Sequence, residues 1–193
     1  MDRRTLLAGL GTATGVALAG CSTTLGGSTL DDPEVQAEAD ETHLHYADGQ
    51  GEIATTSVLY GPVEGQTLVG VQVSIWHRAG TTLTDLGLVL RDRDPTAVRP
   101  DVYVGGFSGE FPPVSFTTGP RREGRAIEVP DVEAVGEGTV TLDLYVRRFG
   151  DWPLQMAVDV NYELDTGLAQ SATVEGTVDF EIQEPGGAGE ERT

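Results

Sequence analysis

The chain has 193 residues and a formal net charge of −19, with 31 acidic residues against 12 basic ones, and every basic residue is arginine. So acidic a composition, with no basic patch to neutralise phosphates, excludes a nucleic-acid-binding protein. Cys21 is the only cysteine, so any domain after it lacks a disulfide and must be held by its core.

At the N-terminus, Asp2, Arg3 and Arg4 precede an apolar run from Thr5 to Gly20 that ends in small residues, the layout of a secretory signal. The run is short and rich in Gly and Thr, which makes it a poor membrane span by the measure of ~20 apolar residues. Arg3-Arg4 ahead of Thr5-Leu6-Leu7 resembles a twin-arginine export signal. Leu18-Ala19-Gly20-Cys21 resembles a lipobox, in which cleavage leaves Cys21 as a lipidated first residue. Residues 1–20 are therefore expected to be a signal peptide, and Cys21 to tether the chain to the outer face of the cell membrane. Two lipid chains on one cysteine hold stably, since each buried methylene contributes ~0.8 kcal/mol and a single chain is marginal.

Residues 21–41 hold Ser, Thr and Gly, then Asp31-Asp32-Pro33-Glu34, with few large apolar side chains, and are expected to form a disordered acidic linker. From Thr42 the pattern changes to short β-rich runs punctuated by Gly, Pro and Asp. Four runs alternate clearly. Val69, Val71, Val73 and Ile75 form one inner row, and Val140, Leu142, Leu144 and Val146 another. Met156, Val158, Val160, Tyr162 and Leu164 form a third, and Val174, Val178, Phe180 and Ile182 a fourth. Their opposite phases carry Asp143, Asp159, Glu163, Glu175, Asp179 and Glu181, as in antiparallel sheets with one wet side. Weaker runs lie at Leu44 to Tyr46, Ile53 to Tyr60, Leu83 to Leu90, Val102 to Val104, Val114 to Thr117 and Ala126 to Val129. Asp48-Gly49 and Asp165-Thr166-Gly167 are turn signals, while 91–101 and 105–113 read as loops. The expected fold is all-β: a single immunoglobulin-like antiparallel β-sandwich of about eight to ten strands over residues 42–183, followed by a disordered tail over 184–193.

Candidate chemistry is sparse. His43 and His45 share one face of a strand and would begin a copper or zinc site if His77 or a carboxylate joined them, but His77 follows the inward phase of Val73 and Ile75. Solvated strand histidines are the plainer reading. Asp92 and Asp94 lack the patterned acidic loop of a calcium site and read as a charged turn. Ser108 in Gly106-Phe107-Ser108-Gly109 is followed two residues on by Glu110, which fails the nucleophile elbow. The more informative set is aromatic. Trp76 and Tyr145 fall on the outer phase of their strands and Trp152 lies in a loop, so together they are a candidate binding surface for an envelope protein or glycan. Loop aromatics can equally fold over the ends of a sandwich as lids.

The lysine-free acidic composition and the twin-arginine lipobox leader together resemble secreted lipoproteins of extremely halophilic archaea. At about molar salt the Debye length falls to ~3 Å, which screens the self-repulsion of such a chain. That resemblance implies an envelope-facing protein and carries no implication for catalysis. The expectation is a lipid-anchored surface protein with a non-catalytic binding or structural module and no cofactor. A metal-handling lipoprotein built on His43, His45 and His77 is the alternative.

Overall fold

The computed structural model describes residues 27–64, 68–94, 100–108, 114–118, 124–130, 132, 138–147, 152–167 and 170–183. Arg3, Arg4, the Leu18–Cys21 motif and the 184–193 tail lie outside the described residues. Twelve strands, numbered in chain order, form two sheets. The first sheet runs β1 (Ser28–Leu30), β12 (Ser171–Ile182), β11 (Leu154–Asp165), β6 (Thr82–Asp92), β9 (Gly124–Val129), β8 (Ser115–Thr118). The second runs β2 (Glu34–Ala37), β3 (Glu41–Asp48), β4 (Gly51–Pro62), β5 (Leu68–His77), β10 (Thr139–Arg147), β7 (Asp101–Phe107). Every pairing is antiparallel except that of β1, which lies parallel to β12. The protein is an all-β sandwich.

The alternating rows decide which faces meet. Val73 and Leu142 are register partners in the second sheet, Val158 and Val178 in the first, and all four are essentially buried. Each fully buried Val or Leu contributes about 1.5–3 kcal/mol, whereas an exposed ion pair contributes about 0–1, so these inner rows dominate stability. The row on β12 is interrupted at Gly176, where a Cβ would collide with the Tyr46 hydroxyl and the Leu44 side chain of the opposite sheet. Tyr46 fills that gap and donates its hydroxyl proton to the Glu175 carbonyl at 3.2 Å, while its ring meets Tyr162 edge-on at 6.5 Å. Burial pushes both phenols well above their ordinary range, so they stay neutral and serve packing. Tyr60 stacks on Phe180 at 4.3 Å and makes a second bridge between the sheets.

The eight to ten strands expected from residue 42 onward correspond to β3 to β12. The segment expected as linker departs from expectation, because residues 28–30 and 34–37 are strands β1 and β2. An edge strand needs only backbone pairing and little side-chain burial, which is why polar residues suffice there. Leu30 nevertheless packs against the core, while Val35 remains 60% exposed.

The expected turns form as read. Asp48 accepts the Gln50 amide at 2.7 Å and Asp165 the Gly167 amide at 2.8 Å, and Gly51 and Gly167 take positive φ. Arg78, at the end of β5, holds the Asp48 carboxylate with contacts of 2.7 and 3.3 Å.

Candidate functional site

The two sheets turn different surfaces to solvent. On the first, Asp159, Glu163, Glu175, Asp179 and Glu181 point outward, matched by few cations. Arg91 grips Asp159 with two 2.9 Å contacts, Thr177 donates to the same carboxylate at 2.8 Å, and Arg93 pairs with Asp179. On the second, the register lines up hydroxyls and amides across four strands. His43, Ser57, Ser74 and Thr141 form one row, and Leu59, Gln72 and Asp143 form the next. Ser74 and Thr141 hydroxyls lie 3.1 Å apart, and Gln72 donates to Asp143 at 2.7 Å.

This second face also holds four of the exposed large apolar side chains: Leu59, Trp76, Tyr103 and Tyr145, between 38 and 44% exposed. Trp76 and Tyr145 project from β5 and β10 on the phase the sequence assigned them. Tyr103 was missed, although Val102-Tyr103-Val104 already placed it outward; in the fold it lies directly opposite Tyr145. The Arg147 guanidinium sits 5.7 Å from the Tyr103 ring centroid. Trp152 does not join them: it is half-buried and packs against the core, the behaviour of a lid.

Glycines shape the centre of this face. A Cβ at Gly105 would strike the Tyr145 ring and one at Gly106 the Asp143 carboxylate, so these two residues at the β7 bulge make room for both side chains to lean over β7. Gly61 and Gly70 are register partners on β4 and β5 and form the floor of a groove of about 470 Å³. Asp40, Leu59, Gln72, Asp143 and Tyr145 stand around it. A larger cleft of about 850 Å³ lies beside the β1–β2 connection, where Arg91 and Asp159 are already engaged with each other.

The three histidines are not brought together. His43 and His45 lie half-buried on the outer side of β3, with ring centroids 6.0 Å apart. His43 Nδ1 meets Ser57 Oγ at 2.7 Å and His45 Nδ1 meets Glu52 Oε1 at 2.7 Å. Thr55, then His45, hydrogen-bond the Glu52 carboxylate and hold it below its usual range. His77 is buried on the inner side of β5, as its phase predicts. Thr81 gives its hydroxyl proton to the Arg78 carbonyl, so its oxygen accepts from His77 Nδ1 at 3.0 Å, and His77 Nε2 accepts the Gly138 amide at 3.2 Å. That ring fastens the β5–β6 turn to the start of β10. Among the described residues no cluster of three His, Cys, Asp or Glu is placed to hold a metal ion.

Two other sequence candidates resolve into local structure. Asp92 accepts the Asp94 amide at 2.8 Å and makes a charged turn. Ser108 Oγ accepts the Thr141 amide at 2.8 Å while its own amide reaches the Thr141 carbonyl at 2.9 Å, so it extends the β7–β10 pairing.

Residues 27–184 match the family model described as "Domain of unknown function (DUF8121)", and the chain belongs to that family. No curated protein matches it. Among solved structures, it is similar to the collagen-binding domain of a Staphylococcus aureus adhesin at 11% identity and a TM-score of 0.41, covering 66% of this chain and 95% of that one. The collagen-binding subdomain of an Enterococcus faecalis surface protein overlaps at 7% identity and 0.40, covering 65% and 93%. The GAE domain of a Saccharomyces cerevisiae GGA protein overlaps at 7% identity and 0.35, covering 78% and 96%. The sandwich assignment rests on the pairing of the two sheets, independently of these overlaps.

Proposed function

We propose that this chain is an exported, lipid-anchored protein of the outer cell surface whose β-sandwich is a non-catalytic binding module, and that it binds through the outer face of the second sheet. The observation that carries this reading is the grouping of the exposed side chains Leu59, Trp76, Tyr103 and Tyr145 on one outer face, beside hydroxyls, amides and the carboxylates of Glu41 and Asp143. Aromatic side chains with polar tips bury large area at low conformational cost, which suits them to recognition. The Arg3-Arg4 and Leu18-Ala19-Gly20-Cys21 motifs support export and tethering, and the net charge of −19 supports a salt-rich medium.

The decisive experiment is co-sedimentation of the purified full chain, kept in detergent so that its lipid does not hold it, with detergent-insoluble envelope material at about molar salt. Trp76→Ala with Tyr145→Ala should abolish retention, while Glu163→Gln with Glu181→Gln should leave it intact. Equal retention of the aromatic variant would overturn the assignment of this face. Cys21→Ser should move the protein from membrane to medium; unchanged retention in membranes would contradict the anchor.

A further inference from the structure

The glycines of this protein fall into two kinds. Gly176, Gly105 and Gly106 are required, since a Cβ at each would overlap a neighbouring side chain. Gly61 and Gly70 are not. Neither has positive φ, nothing lies within 4 Å of a Cβ built on Gly61, and a Cβ on Gly70 would meet Val63 Cγ2 at 3.6 Å and the Gly61 carbonyl oxygen at 3.9 Å, both ordinary contacts. Glycine within a strand weakens it, and one that neither the backbone nor packing demands is often found where a ligand approaches the backbone closely. Here both glycines occupy the same cross-strand position, so β4 and β5 together present bare backbone at the floor of the groove.

The walls specify the chemistry. Tyr145 offers a ring seated by Gly105, and Asp143 a carboxylate seated by Gly106, so both are held in place before any ligand arrives. Gln72 uses its amide nitrogen on Asp143 and keeps its carbonyl oxygen as an acceptor, and Asp40 supplies a second carboxylate. Among the described residues around the groove none is basic, which leaves phosphate, sulfate and polyuronate ligands without a partner there. What remains is a ligand that brings several hydrogen-bond donors and an apolar ring face. A cationic peptide would bring its donors as charges, and at −19 the attraction for cations is spread over the whole surface instead of focused here. The volume of about 470 Å³ lies within the roughly 300–1,000 Å³ usual for small-ligand sites. Tyr103, opposite Tyr145, continues the aromatic track across β7.

We infer that the groove between Leu59, Gln72, Asp143 and Tyr145 is a subsite for a neutral, polyhydroxylated glycan chain, whose ring lies over Gly61 and Gly70 and against Tyr145. This deepens the binding-face reading and rests on it. The test is titration of the purified full chain in detergent, at about molar salt, with an array of neutral oligosaccharides (gluco-, manno-, galacto- and xylo-linked) and with oligogalacturonate as the anionic probe. A neutral oligosaccharide should bind and oligogalacturonate should not. Gly61→Leu puts its Cβ into open space and its side chain toward the groove, so it should weaken binding by about tenfold or more, as should Tyr145→Ala, with the thermal midpoint of Gly61→Leu close to that of the wild type. Failure of every neutral oligosaccharide to bind, stronger binding of the anionic probe, or wild-type affinity in Gly61→Leu would each overturn the glycan assignment. If neutral sugars fail while envelope retention still depends on Trp76 and Tyr145, only the glycan assignment falls. If both fail, the binding face falls with it.

Discussion

The outer faces of the two sheets show how one folding rule yields two different surfaces. Both sheets bury an alternating aliphatic row, and the inner sides are interchangeable in character: Leu142 and Val73 in the second sheet, Val158 and Leu164 in the first. Only the opposite phase differs. The first sheet turns out Asp159, Glu163, Glu175, Asp179 and Glu181, while the second turns out Ser57, Ser74, Thr141, Gln72 and the aromatic residues alongside Glu41 and Asp143. Since outward positions contribute little to stability, they are the positions free to carry other tasks, solvation on one side and recognition on the other.

The shared interior predicts the largest effects. Leu142→Ala and Leu164→Ala should each cost about 2–5 kcal/mol in denaturant melts at molar salt, and to a similar degree, because both leave cavities in one continuous core. Gly176→Val should cost about 1–3 kcal/mol by forcing Tyr46 out of its place. A much milder loss on one sheet would break the equivalence of the two interiors.

Salt should then separate the faces. Lowering it from about 1 M to about 0.01 M lengthens the Debye length from ~3 to ~30 Å, and the thermal midpoint should fall. Replacing Glu163, Glu175 and Glu181 by Gln and Asp179 by Asn should recover part of that loss, whereas Ser57→Ala with Thr141→Ala should recover none. An equal response from both faces would show that the charge acts globally.

A smaller effect is expected at the end of the second sheet. Arg78 hydrogen-bonds the Asp48 carboxyl and holds it below its usual range. A depressed carboxyl stabilises the fold above its unfolded pKa, near 4, and loses that contribution as pH falls through the folded value. Melts taken from about pH 6 downward should therefore be shallower in Asp48→Asn than in the wild type, and an identical acid slope would discount the pair. The smallest stability changes belong to Trp76→Ala and Tyr145→Ala, about 1 kcal/mol or less in melts, although these are the variants expected to lose binding.

Legibility followed the same division between phase and register. Ten strands could be read because an alternating period is a local property, and it also put His77 inside and Trp76 and Tyr145 outside. β1 and β2 could not be read, since segments as short as Ser28–Leu30 and Glu34–Ala37 form strands only when an edge is there to receive them. Trp152 could not be placed either, because a loop ring has no phase and its burial depends on which surface the loop crosses.

By itself, then, the sequence determined the all-β character of the domain and the side of its strand on which each core residue and outer aromatic lies. It also determined the acidic balance of the exterior, because charge and alternation belong to the chain at any conformation. Only the tertiary structure decided that Tyr103 meets Tyr145, that Gly105 and Gly106 seat Tyr145 and Asp143, and that Gly61 pairs with Gly70 to open a groove. Those relations are cross-strand registers between residues far apart in the chain, and register is fixed when whole strands pair and bury their rows together.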